Sequence, residues 1–266
     1  MSANWTAPPA EAVDLAGLAA DFAGRGVVAF GLANDEAASP PEWFTEAFEV
    51  TRTAGLVSAP HTGEHRGANS VAGALDALGA NRIQHGLRAI EDEAVVRRLA
   101  DGHTCLDICP TSNAELSVVA DIRDHPLRRL LDIGVPCTIN ADDPLLFDVD
   151  LVDEYETCRN ILGLDDGQLA ACARTSIEFC GGPENLKRSA LAGVDAWLGY
   201  PRPGRRVVQR AGWRAPARKN SRRACAICSR TSAPEMMTST MGIEVWIWPR
   251  PTTCSTATPA AASASP

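Results

Sequence analysis

With 266 residues and 45% hydrophobic composition, the chain can bury a core as one large domain or two small ones. Its formal charge of −8 and pI near 5.2 exclude a nucleic-acid-binding surface over most of its length, because phosphate contacts need clustered Lys and Arg. No apolar run reaches the roughly 20 residues of a membrane helix, and the first ten residues lack the basic start and apolar stretch of a signal peptide. A cytoplasmic protein with no membrane contact is expected.

Apolar spacing predicts a helix over residues 11–23, with Val13, Leu15, Leu18 and Phe22 near one face and Gly24 as its stop. A strand follows at 26–33, then a helix at 41–54, a strand at 56–60, a helix at 68–78 and a strand at 82–84. The alternation continues through a helix at 93–100, a strand at 104–108, a helix at 126–133 and a strand at 135–139. Three helical segments without intervening strands come next, at 151–163, 165–180 and 183–198. Nine cysteines are scattered through apolar stretches, as at Cys105, Cys109, Cys137, Cys172 and Cys180. That distribution predicts reduced core thiols rather than a disulfide framework.

From Gly199 onward the periodicity is lost. Residues 201–266 hold 11 basic and 2 acidic side chains, whereas the remaining 31 acidic groups lie upstream. The segment reads as an irregular basic tail, either a disordered interaction segment or a non-native extension, and the abrupt change of charge favours the latter. Cys225 and Cys228 form a single C-x-x-C with no second pair, which does not make a zinc ribbon.

Five strands alternating with helices predict a parallel α/β arrangement. After every strand the chain turns polar: Asn34-Asp35-Glu36, His61 to His65, His85-Gly86, Cys109 to Asn113, and Asp142-Asp143. An open doubly wound sheet gathers its site at one switch point, whereas in a closed β/α barrel every strand's C-terminal end can face the same site. Polar ends on all five strands favour the barrel. A closed barrel has eight strands, so the expected fold is an incomplete TIM-type β/α barrel over residues 1–200, about its last five β/α units, with three units absent.

The strand ends supply His, Glu, His and Asp, an inventory suited to a metal ion, an activated water and a proton-transfer acid. Each residue also has a structural alternative. An Asp-Asp pair before Pro starts a helix as a cap, and a lone His at a strand end is commonly structural. His65 lies at i+4 from His61, but Pro60 and Gly63 oppose the helix that would pair them as ligands. His103 and His125 read as surface residues.

His61-Thr62-Gly63-Glu64 resembles the His-x-Gly-Glu motif of the adenosine deaminase family. His85-Gly86, then Ser112-Asn113, then Asp142-Asp143-Pro144 follow in that family's order and approximate spacing. The resemblance implies a purine nucleoside aminohydrolase holding one Zn2+ per chain. It makes His61 a zinc ligand and Asp142 both a ligand and the acceptor of the water's proton. Glu64 becomes the acid that protonates the purine N1, His85 the group that orients the attacking hydroxide, and Asp143 a purine hydrogen-bond partner near N7. Two departures stand out. The family's first-strand His-x-His pair does not occur in this sequence, leaving two ligands where catalytic zinc takes three or more. Leu-Ala-Gly-Asp-Glu reads Leu32-Ala33-Asn34-Asp35-Glu36 here, which puts Asn34 at the substrate-facing glycine. Related substrates, such as aminodeoxyfutalosine or adenine, and a non-catalytic binding or scaffold role remain as alternatives.

Overall fold

The computed structural model describes residues 1–199; residues 200–266, with the basic tail and its Cys225/Cys228 pair, lie outside the described part. Six strands form one parallel sheet in sequence order: β1 (Ser2–Asn4), β2 (Ala29–Ala33), β3 (Val57–Thr62), β4 (Arg82–His85), β5 (Cys105–Ile108) and β6 (Cys137–Ile139). The helices α1 (Pro9–Asp21), α2 (Thr45–Thr53), α3 (Ala68–Ala77), α4 (Glu93–Asp101) and α6 (Leu127–Ile133) connect successive strands. This is the β/α barrel order, two strands short of eight.

The count is six strands and not five because β1 is only three residues long. So short a segment carries no alternation for a pattern to reveal; its pairing, Ser2 with Gly31 through Asn4 with Ala33, is tertiary. Gly31 permits it. A Cβ there would sit 3.0 Å from the Ala59 carbonyl oxygen and 3.1 Å from Ser2 Oγ, so any larger residue would push three strands apart.

Helix α1 begins with Pro9 in its first turn, where the missing N–H is harmless, and buries Ala12, Ala16 and Ala19 along one stripe. Those small side chains let it lie close to α2, whose Phe48 stacks edge-on against Phe30 of β2. Trp5, just after β1, is fully buried and meets Phe44 in a second edge-on pair. Ile83, Leu106 and Ile108 continue the same core through β4 and β5.

Polar side chains cross the sheet in register. Asp107 of β5, nearly inaccessible, accepts a fork of two bonds from Arg82 at 2.6 and 2.7 Å, one from Gln84 at 2.8 Å and one from Thr138 at 2.7 Å. Arg82 also reaches the Phe179 carbonyl at 3.2 Å and so ties in the end of α9 (Asp166–Glu178). A buried pair so fully hydrogen-bonded specifies strand register more than it adds stability.

Two short helices were not legible in the pattern: α5 (Pro110–Glu115) after β5 and α7 (Pro144–Phe147) after β6, each opening on a proline. Helix α8 (Leu151–Asn160), α9 and α10 (Glu184–Gly199) close the described chain. The six described cysteines are all free thiols and five are buried. Among the described residues no helix is long and apolar enough to cross a membrane. His103 is exposed as expected, but His125 is buried, contrary to the surface reading: the charged neighbours Arg123 and Asp124 face outward while its ring turns into the space behind α5.

Candidate active site

The C-terminal ends of β3, β4 and β6 supply the candidate groups. The turn after β3 is built around a residue far away in sequence. Glu36, buried beyond the end of β2, accepts hydrogen bonds from the backbone N–H of Gly63 at 2.7 Å, Glu64 at 2.9 Å and Arg66, and from Ser70 Oγ at 3.0 Å. Its carboxylate thus neutralises a nest of backbone donors that would otherwise be unsatisfied. Gly63 is obligatory within that turn. Its φ of +66° is left-handed, and a Cβ there would lie 2.3 Å from a Val71 methyl carbon.

The turn aims Glu64 inward. Burial first, and then the charges of Asp142 and Glu36, push its carboxyl up to about 8, so it is a protonated acid at neutral pH. Its Oε1 is buried without a hydrogen-bond partner among the described residues, 3.7 Å from His85 Nδ1. His65 Nε2 stands 3.7 Å from the other oxygen, Oε2, with its own side chain half exposed.

His61 is held by the strands beside it. The Trp5 indole N–H donates to the His61 carbonyl at 3.1 Å, and His61 Nδ1 faces the Leu32 carbonyl at 3.2 Å. A carbonyl can only accept, so Nδ1 carries a proton, which in the neutral ring leaves the lone pair on Nε2. This backbone-oriented tautomer is the usual support of a metal-ligating histidine. The His85 ring lies 5.5 Å away, centroid to centroid.

His85 closes β4 with a left-handed φ of +63° and is buried. Burial, followed by the neighbouring His61 and His65, lowers its pKa to about 3, keeping the ring neutral. Asn113 Nδ2 approaches its Nδ1 at 3.2 Å. A donor atom of His85, the Cys109 thiol and the Asp142 carboxylate all lie within 4.8 Å of one another. His61 is not in that group. Cys109 is held as a thiol, because full burial raises its pKa well above the ordinary value.

Asp142 follows β6 in the left-handed region at φ +56°, exposed, with Ser112 Oγ donating to its Oδ2. Asp143 caps α7: its Oδ1 accepts from the Leu145 and Leu146 N–H groups, each at 3.1 Å. Asn34 follows β2, exposed, at φ +73°. A glycine favours that conformation and asparagine is among the few other residues that tolerate it, which accounts for the exchange in the Leu-Ala-Gly-Asp-Glu pattern. Sequence reasoning also missed Glu154 of α8, fully buried and accepting from the Thr111 N–H at 3.2 Å, whose carboxyl burial raises to about 7.

The strand ends of the parallel β/α sheet thus gather two histidines, a protonated glutamic acid and an aspartate. Residues 1–197 match the sequence profile described as adenosine deaminase, and the chain belongs to that family. A Streptomyces coelicolor protein named for adenosine/adenine deamination is 47% identical over 198 residues, which is 74% of this chain and 58% of that protein. Adenine deaminase from Arthrobacter aurescens superimposes with a TM-score of 0.68 at 30% identity, covering 74% of this chain and 60% of that one. An amidohydrolase from Burkhoderia ambifaria with bound zinc has the same fold, with a TM-score of 0.68 at 23% identity over 74% of this chain and 55% of that one. The chain therefore spans somewhat more than half the length of the relatives it matches.

Proposed function

We propose that this chain carries the acid–base half of an aminopurine deaminase site, which replaces the amine of adenosine or adenine by oxygen and releases ammonia. The observation that carries this reading is Glu64, a buried carboxylic acid pushed up to about 8 beside a neutral histidine. Adding water to an aromatic amidine needs a proton on the adjacent ring nitrogen, and only an acid still protonated at neutral pH can hold it there. Aminodeoxyfutalosine is the related alternative substrate. The relatives' names, which include both adenosine and adenine, support the substrate class and not a single member of it.

The protons balance across the chain's own groups. Glu64 gives its proton to the ring nitrogen N1, where it stays in the product. Asp142, steadied by Ser112, takes one proton from the attacking water and passes it to the departing amine, which leaves as ammonia. The second water proton restores Glu64 when the new carbonyl forms. His85 would orient the attacking oxygen, and Asp143, beyond its capping bonds, and Asn34 are the residues assigned to hold the purine.

His61 and Asp142 are the residues that would hold a metal, Zn2+ by family expectation. They fit as part of a donor set: His61, whose Nδ1 is turned to the Leu32 carbonyl, would offer Nε2 and Asp142 a carboxylate, at least one ligand fewer than a catalytic zinc site takes. When bound, zinc acidifies a water towards a pKa of about 7. The cytoplasmic setting is proposed on the buried reduced thiols.

The test offers adenosine and adenine separately to the full chain supplied with zinc and follows conversion by ultraviolet absorbance. Glu64→Gln should lower the rate by about 100-fold or more with the fold retained. Equal rates for Glu64→Gln and the unaltered chain, or no conversion of any aminopurine, would leave the binding or scaffold reading in place.

A further inference from the structure

Behind the site, three side chains and a backbone amide form one hydrogen-bonded line. The Leu127 N–H, at the start of α6, reaches His125 Nδ1 at 3.1 Å. His125 Nε2 meets Asn113 Oδ1 at 3.2 Å, and Asn113 Nδ2 meets His85 Nδ1 at 3.2 Å. All three side chains are buried. Protons on ring nitrogens and the orientation of an amide are ordinarily matters of assignment, but this line has one end that admits no choice.

A backbone N–H can only donate. His125 Nδ1 must therefore be the bare, accepting nitrogen, which puts the ring proton on Nε2. That N–H needs an acceptor, so Asn113 turns its carbonyl oxygen towards His125 and its NH2 towards His85. The NH2 in turn requires His85 Nδ1 to accept. The only neutral form of His85 that accepts at Nδ1 carries its proton on Nε2. Each step follows from the one before, and reversing any member would bring two donors or two acceptors face to face in a buried space, at a cost of about 1–3 kcal/mol per unsatisfied group.

We propose that the Leu127 amide, acting through His125 and Asn113, fixes His85 as its Nε2–H tautomer, so that His85 donates a hydrogen bond in the site and is barred from ligating metal. In that state one ring nitrogen is occupied by the Asn113 NH2 and the other carries a proton, and neither lone pair is available to a cation. The close approach of His85, Cys109 and Asp142 is therefore not a metal site, despite its spacing. His61 is the contrasting case: its Nδ1 donates to the Leu32 carbonyl, which in the neutral ring leaves the lone pair on Nε2. The two histidines are thus set to opposite tautomers by backbone groups. His125 and Asn113 are positioning residues. With Nδ1 accepting, His85 has no proton there to give Glu64 Oε1, which stands 3.7 Å away without a hydrogen-bond partner among the described residues.

The catalytic meaning of His85 rests on the deaminase reading, but its tautomer does not, and the experiment reads the tautomer directly. Long-range proton–nitrogen correlation spectra of the full chain, uniformly labelled with 15N, distinguish Nδ1–H from Nε2–H imidazoles. With only five histidines, single His→Gln substitutions assign every ring. His85 and His125 should both show the Nε2–H pattern and His61 the Nδ1–H pattern. Zinc added in excess should leave the His85 Nε2 proton in place. Asn113→Asp keeps the shape but replaces the donating NH2 by an acceptor, and should switch His85 to Nδ1–H. A His85 with its proton on Nδ1 in the unaltered chain, or one that loses its Nε2 proton to zinc, would overturn the proposal. So would an Asn113→Asp variant that folds with His85 still Nε2–H. Should that variant fail to fold, the unaltered chain decides alone. None of these readouts needs turnover, so an inactive chain and a wrong tautomer are told apart.

Discussion

The two halves of the site are held in different ways. The turn after β3 is locked by Glu36, whose buried carboxylate gathers three backbone N–H groups and a hydroxyl from residues 63–70. The turn after β6 has no such anchor. Asp142 and Asp143 are exposed, the chain passes through a left-handed φ at Asp142, and Leu145 is 89% exposed. Ser112 and a short helix cap are its hydrogen-bonded supports. Preorganisation therefore belongs to the turn that carries Glu64, and far less to the one that carries Asp142. The same asymmetry appears across the sheet, because β3 is paired on both sides whereas β6 is the last strand in the described order. Rigidity follows the neighbours a strand has.

Breaking the well-held half should have the largest effect. Glu36→Ala leaves four donors without their acceptor, two or more of them buried, and should cost at least about 3 kcal/mol of stability. Chemical denaturation would show it, and any deaminase rate should fall with it. A change under about 1 kcal/mol would mean that water replaces the carboxylate and that the turn is not built around it.

Glu64→Gln should act in the opposite direction on stability. Because its folded pKa of about 8 lies above the ordinary value of 4.5, the folded chain binds the extra proton between those limits. Stability from this group is therefore full below about pH 4.5 and declines as pH rises through 8. At 1.36 kcal/mol per unit, the penalty reaches about 3 kcal/mol at pH 7, an upper figure that water entry would reduce. The Gln variant should melt several degrees higher near pH 8, with the difference vanishing near pH 4. A pH-independent difference would remove burial of Glu64 as the source of its acidity. In the looser half, Ser112→Ala should weaken zinc retention by about 10-fold while moving the melting temperature little, since the hydroxyl orients Asp142 without filling the core.

The alternation of apolar runs made five strands and their helices legible, since even the three-residue β6 lies within a longer apolar run at 135–139. Helices α5 and α7 and strand β1 escaped, being only three to six residues long and held by tertiary pairing. Among site residues, the local motifs around His61, Glu64, His85 and Asp142 could be read because their spacing is within one strand and one turn. Glu36 could not. Its partners begin 27 residues later, and nothing in Asn34-Asp35-Glu36 distinguishes the anchoring carboxylate from its exposed neighbour Asp35. His125 was misread for a similar reason, since a charged context suggests surface while the ring itself satisfies Asn113 from behind.

Asp143 offers the smallest and most discriminating change. It was read both as a helix cap and as a purine partner, and its Oδ1 is committed to the cap. Asp143→Ala should cost about 1 kcal/mol through the cap alone. Asp143→Asn keeps the capping oxygen, so its melting temperature should match the unaltered chain. Any rise in KM for adenosine or adenine in the Asn variant would then come from the missing charge at the purine. If Asn and Ala raise KM equally, the loop position set by the cap governs binding. If neither does, Asp143 serves only to start α7, and the looser half of the site reduces to Asp142 and the serine that holds it.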